Sequence, residues 1–276
     1  EPHFTFQGFR YVRVEGFPGP LESDNLTGVV IHSDMETTGT FQCSDPLINQ
    51  LQENIVWGQK GNFLDVPTDC PQRDERLGWT GDAQVFIKTA SFNMNVASFF
   101  TKWLRDLSLD QFDDGQVPHV VPDVLGGAAS AAWADAAVII PWTLYLRYGD
   151  RRLLEEQYPS MRSWVEYVAA QAGESYLWTT GSHFGDWLSA TYDNSSFPAA
   201  VTDKDFIATA FFAHSTDLLA RTARVLGKEE DASHYADLFG RIRAAFQREF
   251  LTPAGRLSPS SQTAYALADR KSTRLN

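Results

Sequence analysis

Cysteine is scarce in this chain, which has only Cys43 and Cys70 among its 276 residues. Neither residue belongs to a Cys-x-x-Cys pair or a Cys/His cluster, so the spacing typical of a zinc site is missing. A single pair permits one disulfide without implying it, and disulfides are rare outside secreted proteins. We therefore expect both thiols to be free.

Basic residues are also in deficit, because 23 Lys and Arg face 35 Asp and Glu, for a formal charge of -12. Nucleic-acid recognition favours a basic patch, so this balance argues against a nucleic-acid partner and fits a neutral substrate such as a carbohydrate. No apolar run is long enough to span a bilayer, so no membrane partner is expected.

Several motifs of cofactor and nucleophile chemistry are absent as well. The six histidines are scattered without HExxH spacing, so we expect no metal. There is no Gly-x-Ser-x-Gly elbow, phosphate loop or Rossmann glycine fingerprint. We therefore expect no cofactor.

The first 36 residues have the pattern of β structure. Residues 9–14 alternate aromatic or aliphatic with charged side chains, which predicts a half-buried strand, and residues 26–32 predict a second. Residues 18–20, Pro-Gly-Pro, separate the two.

From Ser44 onwards the period is helical. Ser44 or Asp45 can cap a helix that has Pro46 in its first turn. Apolar periodicity predicts further helices near 82–93, 95–110, 134–148, 154–168, 204–226 and 238–250, with the opening of one more at 261–268.

The two ends of the chain look unnatural. There is no initiating Met, so the absence of a targeting signal says nothing about localisation, which stays open between cytoplasmic and secreted. Residues 269–276 look like the in-frame translation of a sequencing adapter. We predict that they are a non-native tail and that the natural protein continues past Ala268.

Three long loops separate the predicted helices, at 62–81, 113–132 and 175–203, and loops of this length are often functional. Each brings Asp or Glu together with Trp, within the loop or at its end. This repetition predicts that the loops form one rim of a helical barrel and line a pocket.

The segment from Asp69 to Asp82 is the most informative, with four carboxylates, two arginines, one tryptophan and two glycines. Such a loop is costly to fold unless its charges pair, and active sites are where such clusters are usually kept. The mixture suits sugar chemistry, because one carboxyl can hold a proton while others bind hydroxyls and an indole packs on a pyranose.

Glu75 is the main candidate for a proton donor, and the alternative is a loop glutamate in a salt-bridge network. Nearby carboxylates such as Asp69 can raise the pKa of a general acid by like-charge repulsion. The flanking Arg73 and Arg76 oppose that shift, so the sequence leaves its sign open.

The other polar candidates also have structural alternatives. Asp69 can bind hydroxyls or cap an Asx-turn, and Asp82 can bind substrate or serve as a helix N-cap. Arg73 can donate a bidentate fork to a sugar diol or to Asp69.

Seven of the eight tryptophans fall into two groups. Trp79, Trp133 and Trp187 sit beside Gly or Asp, which is typical of a site. Four others are expected in the core, mostly because they lie in helical patterns: Trp57, Trp103, Trp142 and Trp164.

The run from Pro67 to Gln84, PTDCPQRDERLGWTGDAQ, closely resembles the signature of bacterial-type α-L-rhamnosidases, the family 78 glycoside hydrolases. Further segments resemble the same family: 8–11, 39–51, 133–136, 148–150, 185–188 and 261–265. The likeness covers nearly all of residues 1–268.

The resemblance implies a mainly α protein: an incomplete (α/α)6 barrel at 37–268, preceded by the last strands of a β-sandwich domain at 1–36. It implies hydrolysis of terminal non-reducing α-L-rhamnosyl residues with inversion, on rhamnose-containing oligosaccharides or glycosides. Glu75 then matches the general acid. The residues implied at the rhamnose subsite are Asp69, Arg73, Trp79, Asp82, Trp133, Asp135, Asp186 and Trp187.

An inverting hydrolase needs a second carboxylate as general base. In the family this base is a Glu far downstream, which places it beyond Ala268, and several of the twelve helices of an (α/α)6 barrel are missing as well. Residues 1–276 alone are therefore expected to be inactive and poorly folded. Two other functions stay open: an (α/α)6 glycosidase of different sugar specificity, and a non-catalytic carbohydrate-binding protein. The aglycone and the oligomeric state also stay open.

Overall fold

The computed structural model describes residue 3, residues 5–189 and residues 200–270. The described residues form eight α-helices, one short hairpin and two 3-10 turns. The helices are α1 (Pro46–Asn62), α2 (Thr80–Asn93), α3 (Ala97–Asp110), α4 (Ala136–Tyr148), α5 (Arg151–Ala172), α6 (Lys204–Leu226), α7 (Glu229–Phe250) and α8 (Gln262–Arg270), with 3-10 turns at Ser23–Asn25 and Gly173–Ser175. The antiparallel hairpin pairs β1 (Phe63–Leu64) with β2 (Val66–Pro67).

The helices are arranged in two layers. Along the inner layer, α2 packs on α4, α4 on α6, and α6 on α8. The outer layer consists of α3, α5 and α7: α3 packs on α4 and α5, α5 on α4 and α6, and α7 on α6. Alternate inner and outer helices are the arrangement of an α/α barrel, and the structure confirms the mainly α class as part of such a barrel.

Burial follows the same division. Most residues of α4 and α6 are buried, whereas α5 and α7 bury one face only. Helix α4 is therefore apolar on most sides and α6 is largely buried, whereas the outer helices α5 and α7 are amphipathic. In the described ranges, no helix is both long and apolar enough to cross a membrane.

Local sequence explains where the helices begin and end. The Asp45 side chain caps α1 and Pro46 opens its first turn, as predicted. Asp150 and Asp203 cap α5 and α6 in the same way. Gly227 follows the last residue of α6 and has φ 74°, a left-handed conformation that glycine adopts without a steric cost at Cβ.

The segment before α1 differs from the prediction. Residues 9–14 and 26–32 form no strand, because a strand needs a neighbouring backbone to pair with and the described residues provide none there. The segment meets the helical body through the Ser33 N–H, which donates to the Phe63 carbonyl at 2.8 Å, and an isolated bridge between Thr37 and Met94. Its assignment to a sandwich domain stays a prediction.

One of the predicted core tryptophans is exposed. Trp103 and Trp164 are fully buried, but 50% of Trp57 is open to solvent. The prediction for Trp57 is wrong because the described residues leave half of its side chain uncovered, with only the Lys60 ammonium lying over its ring. At the other end of the chain, α8 extends to Arg270, and residues 271–276 of the predicted tail lie outside the described residues.

Candidate active site

The charged loop between β2 and α2 is held by its backbone. The Asp69 N–H donates to the Leu77 carbonyl at 3.2 Å, which closes the loop on itself. The Val121 N–H donates to the Gly78 carbonyl at 2.9 Å, which ties the loop to the next one. A Cβ on Gly78 would lie 2.3 Å from the Val121 oxygen, so this close approach requires glycine.

The two arginines of the loop have different surroundings. Arg76 adopts φ 50° and donates from Nε to the Pro71 carbonyl at 3.2 Å and from Nη2 to the Phe6 carbonyl at 3.0 Å. It therefore fastens the loop to the N-terminal segment. Arg73, by contrast, is exposed at the edge of a cavity.

That cavity has a volume of about 360 Å³ and collects seven of the nine predicted site residues. Asp69, Arg73, Glu75, Trp79 and Asp82 come from the first loop and the start of α2. Trp133 comes from the second loop and Trp187 from the third. The remaining lining residues are Phe184 and Leu188.

Glu75 is held in a fixed direction by its neighbour along the loop. The Trp79 indole N–H donates to Glu75 Oε1 at 2.5 Å, and the Leu77 N–H donates to Oε2 at a longer 3.4 Å. The carboxyl group is half-buried and lines the cavity. Of the two carboxyl oxygens, Oε2 therefore has the longer hydrogen bond.

The Cys70 thiol lies between two other polar groups of the site. Its Sγ donates to Asp69 Oδ2 at 2.9 Å and accepts from Arg73 Nη2 at 3.3 Å. The hydrogen bond to Asp69 raises the pKa of the thiol. Both Cys70 and Cys43 are free thiols, as predicted.

Asp82 lies in the first turn of α2, and the structure shows that it is not the helix N-cap. Trp79 holds that position without a side-chain cap. The Asp82 side chain is partly exposed to the water of the cavity, but surrounding protein atoms reduce the contact of its carboxyl group with water. This desolvation and the charge of the hydrogen-bonded Asp69 carboxylate raise its pKa to about 7.

Aromatic rings form the remaining wall of the cavity. A Cβ on Gly81 would lie 2.7 Å from the Trp133 indole, so the glycine allows the indole to pack against the start of α2. Phe184 contacts the rings of Trp79, Trp133 and Trp187. The sequence analysis missed Phe184 and Leu188, although both flank or belong to the matched segment 185–188.

Asp135 is not at the cavity, which corrects its predicted contact with the substrate. It is 1% exposed and accepts hydrogen bonds from Trp164 Nε1 at 3.1 Å, Ser215 Oγ at 2.5 Å and the Ala132 N–H at 2.8 Å. The carboxylate therefore joins the second loop to α5 and α6, and its oxygens are occupied within the protein.

Asp186 likewise does not line the cavity. Its Oδ1 accepts from the N–H groups of Val201 and Thr202 at 2.9 and 3.1 Å, and its Oδ2 accepts from Thr202 Oγ1 at 2.7 Å. The carboxylate ties the third loop to the residues that precede α6. Its neighbour Trp187 is the residue that reaches the cavity.

Among the residues that the structure describes, no group of three or more His, Cys, Asp or Glu side chains could hold a metal ion. The chemical groups that line the cavity are three carboxyls, one guanidinium, aromatic faces and the side chain of Leu188. This set can bind hydroxyl groups, pack on a sugar ring and transfer a proton.

Residues 36–268 match the family described as the bacterial alpha-L-rhamnosidase 6 hairpin glycosidase domain. The chain belongs to this family. Residues 1–32 match a second description, the bacterial alpha-L-rhamnosidase concanavalin-like domain.

Curated α-L-rhamnosidases are similar to the chain along almost its whole length. One from Streptomyces avermitilis is 47% identical over 97% of this chain and 25% of the relative. One from Formosa agariphila is 45% identical over 97% of this chain and 29% of the relative. The chain thus spans a quarter to three tenths of the length of these rhamnosidases.

Solved rhamnosidase structures have the same fold. The α-L-rhamnosidase from Aspergillus terreus matches with a TM-score of 0.92 at 41% identity, over 97% of this chain and 32% of that one. The Streptomyces avermitilis α-L-rhamnosidase, solved in complex with L-rhamnose, matches with a TM-score of 0.83 at 45% identity, over 92% of this chain and 24% of that one.

Proposed function

We propose that the protein containing this chain hydrolyses terminal non-reducing α-L-rhamnosyl residues of oligosaccharides or glycosides, with inversion and with Glu75 as general acid. The observation that carries the proposal is the cavity in which Glu75, fixed by the Trp79 indole, lies among two further carboxyls, Arg73 and three indoles. The names of the relatives support rhamnose as the sugar.

The geometry suits proton transfer to a leaving oxygen. Trp79 engages Oε1 of Glu75, so Oε2 is the oxygen that would carry the proton to the glycosidic bond. After the transfer Glu75 is an anion, and the indole N–H then stabilises the charge through a charge-assisted hydrogen bond. Proton donation and stabilisation of the resulting anion are thus divided between the two carboxyl oxygens.

The polar and aromatic residues of the cavity suit the two sides of a sugar. Asp69, Asp82 and Arg73 can accept from and donate to hydroxyl groups, and the faces of Trp79, Trp133 and Trp187 can pack on the apolar side of a pyranose. Asp135 and Asp186 act in this proposal through the loops that they hold, without touching the substrate.

We also propose that the general base comes from outside residues 1–268. Three carboxyls line the described part of the cavity, and two of them, Asp69 and Asp82, are hydrogen-bonded to each other. An inverting enzyme needs a base about 6.5–9.5 Å from the acid, on the opposite face of the sugar ring. Relatives of three to four times the length offer further segments that could supply it.

Replacing Glu75 by Gln in the complete protein tests the proposal. We expect kcat on an aryl α-L-rhamnoside with a poor leaving group to fall by about 10²–10⁴, the usual contribution of a general acid. Glu155→Gln, an exposed position on α5, is the matched control and should leave kcat unchanged.

Near-normal turnover by Glu75→Gln on that substrate would contradict the assignment of the acid. Nuclear magnetic resonance of the first sugar released should show the β-anomer, and the α-anomer would exclude inversion. Turnover of a different aryl glycoside instead of the rhamnoside would favour another (α/α)6 glycosidase. Binding of rhamnose without turnover of any aryl glycoside would favour a carbohydrate-binding protein.

A further inference from the structure

The phenyl ring of Phe184 contacts rings from all three long loops. Its centroid lies 6.3 Å from Trp79, 5.0 Å from His119, 4.7 Å from Trp133 and 5.4 Å from Trp187. Three of these four rings line the cavity with Phe184 itself. The sugar-facing indoles therefore have one support in common.

The backbone around Phe184 is fixed to the second loop. The Phe184 N–H donates to Ser130 Oγ at 3.1 Å, and the Ala131 N–H donates to Nδ1 of the preceding His183 at 3.1 Å. His183 is 5% exposed, and its ring packs edge-on against Trp178 at 4.5 Å between centroids. The position of the Phe184 ring is thus set by buried contacts on its own loop and on its neighbour.

Contacts lead from this ring to the proton donor in two steps. Phe184 packs against the Trp79 indole at an interplanar angle of 77°. The same indole donates its N–H to Glu75 Oε1 at 2.5 Å. Any rotation of the indole would move the N–H away from the carboxyl, so the ring of Phe184 restricts the direction of the Glu75 carboxyl.

We propose that Phe184 is a positioning residue for protonation of the leaving group: by supporting the Trp79 indole, it keeps the Glu75 carboxyl aimed at the glycosidic oxygen. The inference rests on the proposed function. Phe184 has no group that can transfer a proton, so any effect that it has on the protonation step passes through Trp79.

Two substrates separate this role from a contribution to folding. A 2,4-dinitrophenyl α-L-rhamnoside releases a stable dinitrophenolate anion that needs no proton to leave, whereas hydrolysis of a phenyl α-L-rhamnoside depends on the general acid. In the complete protein, we expect Phe184→Leu to lower kcat/KM on the phenyl substrate about tenfold more than on the dinitrophenyl substrate, a part of the roughly 10²–10⁴ that acid catalysis contributes. The ratio of the two losses is independent of the fraction of protein that folds.

Three further variants act as controls. Phe184→Tyr keeps the ring and should restore the ratio of the unchanged protein. Phe246→Leu removes a buried ring that packs on Phe206 at 4.8 Å, away from the cavity, and should leave the ratio unchanged while lowering stability. Trp79→Phe removes the indole donor, so adding Phe184→Leu to it should change the ratio little further.

Equal losses on both substrates for Phe184→Leu would overturn the inference alone, as would the same change of ratio in Phe246→Leu. A failure of the unchanged complete protein to hydrolyse either rhamnoside would overturn the proposed function, and the inference with it. Any soluble fraction of Phe184→Leu with measurable activity is enough to decide between these outcomes.

Discussion

Glu75 and Asp82 both present carboxyl groups to the cavity, and their neighbours differ. Glu75 accepts from the Trp79 indole N–H. Asp82 is hydrogen-bonded to Asp69, and desolvation and the Asp69 charge raise its pKa to about 7. The two carboxyls therefore face the same cavity with different hydrogen-bond partners.

Asp82→Asn should change how stability depends on pH. The pKa of Asp82 is about 7 in the folded protein and about 3.9 in an unfolded chain. Its ionisation therefore costs stability as pH rises from about 4 to 7, and the cost is complete above 7. We therefore expect the Tm of Asp82→Asn minus the Tm of the unchanged protein to be more positive at pH 8 than at pH 5.

Asp113→Asn is the matched control, because Asp113 is an exposed carboxylate outside the cavity. Its Tm difference should be the same at both pH values. A Tm difference for Asp82→Asn that is also independent of pH would show that Asp82 titrates as an ordinary aspartate.

At the scale of elements, the site is built by loops that the helices hold in place. The first loop ends at α2, and Gly81 in the first turn of that helix lets the Trp133 indole approach from the second loop. Buried Asp135 connects the second loop to α5 and α6. The helices therefore determine the distances between loops, and the loops carry the chemistry.

Gly81→Ala should destabilise the protein even though alanine favours helices. The added Cβ would lie 2.7 Å from the Trp133 ring, and overpacking of this kind costs about 1–3 kcal/mol. Gly240→Ala is the matched control, because Gly240 lies inside α7 with nothing within 4 Å of the added Cβ.

Alanine is better than glycine in a helix by about 0.5–1 kcal/mol. Thermal denaturation should therefore show a lower Tm for Gly81→Ala and a higher Tm for Gly240→Ala, with shifts of about 2–4 °C per kcal/mol. A rise in Tm for both variants would mean that the Trp133 indole moves aside without cost.

At the scale of the whole molecule, one face of the helical body is apolar and exposed. On α1, Leu47 is 78% exposed and Leu51 57%, and on α2, Val85 is 75% exposed. These positions follow helical periodicity that is typical of a buried face. Large exposed apolar surfaces are unusual in a stable monomer.

Residues 1–276 expressed alone should bind a hydrophobic dye such as ANS and release no rhamnose from an aryl rhamnoside. The dye would report the exposed apolar face, and the missing turnover would follow from a general base outside this part of the protein. The complete protein is the control and should be active with little dye binding. A cooperative melt of the isolated chain together with rhamnose release would contradict both expectations.

Local signals in the sequence specify the helices and the charged loop between β2 and α2. Asp45 with Pro46 and the apolar repeats of α4 to α7 are local signals, since capping and amphipathic periodicity act within a few residues. The run from Asp69 to Asp82 also predicted five residues that line the cavity, because they lie close together in sequence, in the loop and the first turn of α2.

Contacts between groups far apart in sequence depend on how the whole chain folds. It placed Asp135 against Trp164 and Ser215 instead of in the cavity, and it brought Phe184 into contact with three loops. Residues 9–14 have the alternating pattern of a strand but form none, because a strand also needs a second backbone segment to pair with, and the local pattern does not show whether one is present. Burial and ring contacts arise between segments far apart in sequence, and so no local pattern specifies them.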